Sequence, residues 1–177
     1  LGPYLNISKP SLFDNLNFLF SYQINYMYWR YFLWNFAGRQ NDIQGHGIDQ
    51  NSLTDGNWAS GINFFDEGRM GNTDNYPSEL ENHKAYNKYY FLPLILGLLG
   101  LFLQAKYDWK GALIVGLLFV FTGLAIAVYL NMYPYQPRER DYAFVGSFFA
   151  FAIWIGLGVM GLYVNLRDKI SPSALAG

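Results

Sequence analysis

Two stretches of 21 residues, Gly111–Asn131 and Phe144–Val164, contain no charged side chain. At about 1.5 Å of rise per residue, a helix of that length covers about 30 Å, the thickness of a bilayer's hydrocarbon core. A helix at the surface of a soluble domain would carry a polar stripe, and these runs have none. A third run, Tyr89–Ala105, is 17 residues long with Gln104 near its end. The expected fold class is therefore all-α integral membrane, with three transmembrane helices over 89–105, 111–131 and 144–164. An aromatic-rich interfacial helical segment (1–42) and a long irregular polar exterior loop (43–88) precede them. Residues 165–177 are expected to form a cytoplasmic tail or a linker to a further span.

Composition supports that reading only when taken in halves, because a polar first half cancels a very apolar second half. The chain has 15 Tyr, 15 Phe and 5 Trp, an aromatic share of 20%, against 14% charged residues. Such an excess suits residues seated at lipid–water boundaries. A net charge of −1 offers no basic face, which argues against nucleic acid as a partner. With no cysteine, disulfides and thiolate metal sites are excluded. The chain opens at Leu1 with no charged region ahead of an apolar stretch, and the expectation is an excerpt of a longer polypeptide.

Phe13–Phe36 has only Asp14 and Arg30 as charges and reads as one or two helices, lying on the membrane surface or tucked under the bundle. From Ala37 to Asn87 the chain is rich in Gly, Asn and Asp, with no sustained period, and reads as a long ordered loop or a small irregular cap. Small residues recur four apart at Ala112/Gly116, Gly123/Ala127, Gly146/Ala150 and Ala152/Gly156, a spacing that lets helix backbones approach inside lipid. Pro93 is expected to kink the first span or to sit in its first turn. By alternation Lys106, Lys110, Arg167 and Lys169 share one side, and Lys84, Lys88, Arg138 and Arg140 share the other. That balance leaves the positive-inside rule undecided. Long polar loops translocate largely regardless of charge, so residues 1–88 and the 132–143 loop are expected outside.

The chemistry best marked in the sequence is the connection between the last two spans. Arg138, Glu139, Arg140 and Asp141 put four charges between Tyr133, Tyr135 and Tyr142, with Pro134 and Pro137 stiffening the loop. Arginine forks match phosphate oxygens in a bidentate way, Glu139 and Asp141 would orient them, and the three tyrosines could line a lipid or sugar slot. The alternative is a salt-bridge cluster at helix ends with snorkelling arginines. The tracts Tyr28-Trp29-Arg30-Tyr31 and Arg39-Gln40-Asn41-Asp42 place further aromatic and polar groups on the same side, a mixture that suits carbohydrate, or else interfacial anchoring for the first and turn formation for the second.

Other signals are weaker. Asp49, Asn51, Asp55 and Asn57 are oxygen ligands whose order does not fit a helix–loop–helix calcium loop. His46 and His83, with no cysteine nearby, do not suggest zinc, so no cofactor or metal is expected, and a divalent cation is left open. Gly156-Leu157-Gly158-Val159-Met160-Gly161 matches a dinucleotide fingerprint only by letter, since it lies inside an apolar run with no strand before it. Asn6-Ile7-Ser8 fits the glycosylation sequon, which has meaning only in a eukaryotic secretory setting.

Three stretches, SYQINYMYWRYFLWNFAGRQNDIQG at 21–45, NKYYFLPLILGLLGLF at 87–102 and YQPRERDYAFVGSFFAFAIWIGLGV at 135–159, resemble the bacterial branch of the protein O-mannosyltransferase-like family. These are multi-pass membrane glycosyltransferases of the GT-C class. The resemblance implies a sugar, mannose by preference, moved from a polyprenyl-phosphate donor to protein Ser/Thr hydroxyls on the outer face of a bacterial inner membrane. The expected partners are the bilayer, a lipid-linked sugar donor, an acceptor protein, and the remaining helices of a parent protein or partner subunits. The family's key acidic residues lie in its first exterior loop, and this chain resembles the later part of the membrane domain. No catalytic residue is therefore assigned. The competing expectation is a non-catalytic membrane subunit or scaffold. A transporter or channel is disfavoured because no charged residue lies within any of the spans.

Overall fold

The computed structural model describes residues 9–43, 53–72, 76, 78–134 and 140–167. The described chain is mostly helical, and it starts with one continuous run of three parts. The first part is α1 (Leu12–Asn17), the second a π-helix (Phe18–Trp29) and the third α2 (Arg30–Phe36). Ser11 and Asp14 form a capping box at its start, each side chain accepting from the other's backbone N–H. The wider turn of the π-helix stacks Phe18 on Tyr22 and Tyr22 on Tyr26, with ring centroids 5.1 and 5.6 Å apart. Gln23 donates to Asn131 at 2.6 Å, tying this segment to the far end of the bundle helices.

A polar cap follows. It contains β1 (Gly38–Arg39), α3 (Asn63–Met70), α4 (Ser78–Glu81) and β2 (Asn87–Lys88). The two strands pair antiparallel, and Arg39 also bridges to Trp58. Of the two expectations for this stretch, an ordered loop and a small irregular cap, the described residues form the cap. Its interior is held by amides rather than by an apolar core. Gln40 donates to Leu53 O and the Tyr76 hydroxyl, both at 2.7 Å, and accepts from the Asn57 backbone N–H. Asn41 donates to Thr54 O at 2.7 Å and accepts from the N–H groups of Ile43 and Gly56. Buried Asp66 accepts from Ser60 N–H, Ser60 Oγ, Gly61 N–H and Arg69, whose guanidinium lies 3.4 Å from the centre of the Trp58 ring.

The apolar part comprises α5 (Leu92–Tyr107), α6 (Trp109–Thr122), α7 (Leu124–Leu130), a short 3-10 turn (Asp141–Phe144) and α8 (Val145–Leu166). Two helical stretches, Trp109–Leu130 and Asp141–Leu166, are long and apolar enough to cross a membrane. The other expected span is a helix of 16 residues, α5, which is shorter than the other two. Pro93 falls in its first turn, where a missing N–H costs no helical hydrogen bond. The chain enters α5 through Tyr90 and Phe91, both in the left-handed region at φ 51° and 58°.

Helices α5 and α8 run parallel and in close contact, because Gly97 faces Phe151, Gly100 faces the Trp154 backbone and Gly158 faces the Leu96 carbonyl. Of the small-residue pairs read from sequence, Ala112, Ala127 and Ala150 are buried, and Gly146 abuts Thr122. Ala152 and Gly156 face outward. Between α6 and α7 the helix breaks at Gly123, where a side chain would meet the Tyr28 hydroxyl at 2.6 Å. Thr122 Oγ1 donates back to Leu118 O at 2.7 Å, a bond that favours bending just before the break.

The initial helical run lies across this bundle and supplies most of its core. Tyr28 packs edge-on to Phe144 at 5.6 Å, Phe32 to Phe151 at 4.8 Å, and Phe36 against Phe151 at 4.6 Å. Edge-to-face pairs of this kind contribute about 0.5–1.5 kcal/mol each beyond the area they bury. The outer faces of α5, α6 and α8 remain apolar and exposed, as at Ile95, Ile114, Phe149 and Met160.

Candidate functional site

The cap, the aromatic helix and the turn that opens α8 meet at one end of the bundle, opposite the Tyr107–Trp109 turn. The local chain path is set by Gly38. It has φ 132°, and a side chain there would run into the carbonyl oxygens of Ala59 and Asn87. Only glycine allows β1 to pass this close beneath both segments. Tyr89 N–H donates to Ala37 O and Tyr90 N–H to Ser60 O, both at 3.0 Å, closing the cap onto the start of α5.

This arrangement forms a partly open polar pocket of about 180 Å³ lined by Tyr31, Trp34, Asn35, Arg39, Asn87, Tyr89 and Asp141. Arg39 is fixed in three ways. Its N–H donates to Asn87 Oδ1 at 2.9 Å, its Nε donates to Ala85 O at 3.1 Å, and its guanidinium lies 5.2 Å from the Trp34 ring centre. Trp34 is itself pinned by Nε1 donating to Gly56 O at 3.0 Å, and Tyr31 packs edge-on against it at 4.9 Å. Asn35 donates to Tyr31 O at 2.7 Å, leaving its carbonyl oxygen as an acceptor. Asp141 accepts from Tyr142 N–H at 2.9 Å through one oxygen.

Arg39 also lines a wider surface groove of about 730 Å³ with Asp42, Glu79, Asn82, His83 and Lys84. There His83 Nδ1 accepts from Ala85 N–H at 3.2 Å, which leaves Nε2 to carry the proton 3.6 Å from Asp42. Further into the cap, burial pushes the Tyr76 hydroxyl's pKa up, against the lowering effect of its hydrogen bond with Gln40. Burial likewise lowers the pKa of Arg69, and its partner Asp66 opposes that shift.

Of the residues singled out in the sequence, Arg39 and Asp141 are brought together in the polar pocket, and Asp42 lies in the adjoining groove. Trp29 sits edge-on to Tyr28 and Phe32 inside the aromatic core. Arg30 is buried with its guanidinium 3.9 Å from the Tyr26 ring centre and 4.6 Å from that of Tyr31, which makes it a core cation rather than a cavity wall. Tyr133 and Tyr142 are exposed, and Arg140 starts the turn that carries Asp141. Tyr135, Arg138 and Glu139 lie outside the described residues, as do His46, Asp49 and Asn51. Among the described residues no cluster of His, Asp and Glu could hold a metal ion.

Four lining residues were not singled out from sequence: Trp34, Asn35, Asn87 and Tyr89. A signal was present for two of them, since Tyr31, Trp34 and Asn35 at i, i+3 and i+4 share one helix face. Asn87 and Tyr89 join them only through the β1–β2 pairing. No protein-family model, curated protein or solved structure matches the chain, so its chemistry alone carries the functional reading.

Proposed function

We propose that this chain is part of a multi-pass membrane glycosyltransferase moving a sugar, mannose by preference, from a polyprenyl-phosphate donor to protein Ser/Thr hydroxyls on the outer side of a bacterial inner membrane. The observation that carries this reading is the meeting of Arg39 and Asp141 in an aromatic- and amide-lined cavity at one end of two long apolar helices. A lipid-linked donor keeps its tail in the bilayer and presents its headgroup at the boundary. A polar site on top of apolar helices is where such a headgroup would be met.

In this reading α5, α6–α7 and α8 are three spans, and the exposed leucines and phenylalanines of their outer faces contact lipid tails or further helices. At about 1.5 Å per residue α5 reaches only about 24 Å, a mismatch that local thinning of the bilayer accommodates at modest cost. Arg138 and Arg140 hold the donor phosphate, where fixed positive charge stabilises the departing phosphate. The carboxylate that activates the acceptor hydroxyl is assigned to no residue here. A second reading, a non-catalytic subunit in a larger membrane complex, draws support from the outward-facing Ala152 and Gly156, a seam that suits another helix.

Native mass spectrometry of the detergent-solubilised native polypeptide, incubated with polyprenyl phosphate, tests the transferase reading. Retained lipid that is weakened by Arg138→Ala and Arg140→Ala is expected. Unchanged retention in both variants, or none in the parent, would count against it.

A further inference from the structure

We infer that this polar pocket is a single-ring sugar subsite, in which Arg39 and Asp141 hold one pyranose of the donor, and that it does not bind the donor's phosphate. The inference rests on the transferase reading for the ring's origin, but its ligand chemistry is argued from the cavity itself.

Size limits the occupant first. A pocket of about 180 Å³ falls below the roughly 300–1,000 Å³ of sites that take drug-sized ligands, so it holds one small group, and the rest of a larger ligand would lie outside it. At about 30 Å³ per water it has room for about six waters, comparable to one hexose ring with its hydroxyls.

Charge limits it next. Arg39 and Asp141 line the same cavity, and no ion pair joins them among the described residues. A phosphate entering would meet the Asp141 carboxylate, and a metal cation would meet the Arg39 guanidinium. A neutral polyhydroxylated ring suffers neither repulsion, because each hydroxyl donates and accepts.

The donors and acceptors match that demand. With Nε committed to Ala85, Arg39 turns its two terminal amino groups to donation, and Asn87 adds its amide NH₂, since its oxygen already accepts from Arg39 N–H. Asn35 supplies a carbonyl oxygen and Asp141 its second carboxylate oxygen. The accessible lining is almost wholly polar, so a ring seated here is held through its hydroxyls.

The test is saturation-transfer NMR on the native polypeptide in detergent with methyl α-mannopyranoside, and with inorganic phosphate as a competitor. Ring-proton saturation is expected in the parent and unaffected by phosphate. Asp141→Asn should weaken binding about ten-fold, as expected for losing a hydrogen bond to a charged group. Asn35→Trp, at an exposed position on the cavity wall, should abolish it. Absent saturation in the parent, or saturation unchanged in both variants, overturns the subsite. Transfer assayed in parallel separates the two readings. Transfer that proceeds with unaltered donor KM in both variants overturns the subsite and leaves the transferase intact. Mannoside binding that both variants lose, without any transfer in the parent, upholds the sugar chemistry and removes the transferase.

Discussion

Replacing Gly100 with alanine should separate α5 from α8. A methyl group at Gly100 would fall inside contact distance of the Trp154 carbonyl oxygen, and 2.8 Å from the Gly158 nitrogen. Both neighbours are backbone, so no side chain can rotate away and one helix must move. Overpacking of this kind costs about 1–3 kcal/mol. The Trp154 Nε1 to Gln104 Oε1 hydrogen bond of 2.8 Å crosses the same seam, and its loss would add about 0.5–1.5 kcal/mol. Alanine's better helix propensity returns about 0.5–1 kcal/mol. The net expectation is a loss of about 2 kcal/mol, which for a chain of this length lowers Tm by about 4–8 °C. Gly156 on α8 has nothing within 4 Å, so Gly156→Ala should raise Tm by about 1–4 °C through propensity alone. Thermal unfolding in detergent, followed by tryptophan fluorescence, reads both. Equal shifts in the two variants, or an unchanged Tm for Gly100→Ala, would refute a seam made by backbone contact.

Three further expectations follow from the polar groups. The Tyr28 hydroxyl is buried with no hydrogen-bond partner among the described residues, while Ser147 Oγ donates to Phe144 O at 2.8 Å and keeps lone pairs with which it could accept. Tyr28→Phe should therefore stabilise by about 1 kcal/mol, and a lowered Tm would mean that Ser147 does partner the hydroxyl. Asn41→Ala removes three hydrogen bonds at a buried position and leaves their backbone partners unmet, costing about 2–4 kcal/mol. Amide exchange at Gly56 and Ile43 should accelerate, and unchanged protection there would sink that account. Hydrogen bonds from the Ser11 hydroxyl and N–H hold Asp14's pKa below its ordinary value of 3.8. A depressed carboxylate stabilises the folded form above its unfolded pKa and loses that contribution as pH falls through the folded value. Exchange at Ser11 N–H should rise only below pH 3.8, and an onset near neutrality would contradict the capping role.

The apolar helices were legible because lipid-length runs without charge leave few alternatives, and α8 matches 144–164 closely. The break at Gly123 was not, since it depends on Tyr28 wedging in from a distant part of the chain. Phe13–Phe36 read correctly as helical, but its π-helical centre leaves no distinctive period in a sequence apolar on every side. A small cap was one of two expectations for this stretch, but its internal order was not legible, because its hydrogen bonds from Gln40 and Asn41 reach 13 to 36 residues along the chain and involve side-chain amides rather than a hydrophobic alternation. Arg39 and Asp141 were each conspicuous as charges among aromatics. Their meeting was invisible, because it is made by a two-residue strand pair and a single 3-10 turn from distant parts of the chain.

Sugar transfer itself is the most direct measurement of the central claim. The native polypeptide carrying this chain would be reconstituted in liposomes with labelled polyprenyl-phosphate mannose and a Ser/Thr-containing peptide. Label released from the peptide by alkaline β-elimination would then be counted. The account predicts label in the peptide, reduced about ten-fold by Asp141→Asn at limiting donor. A peptide that stays unlabelled while intact donor remains bound to the protein would contradict it.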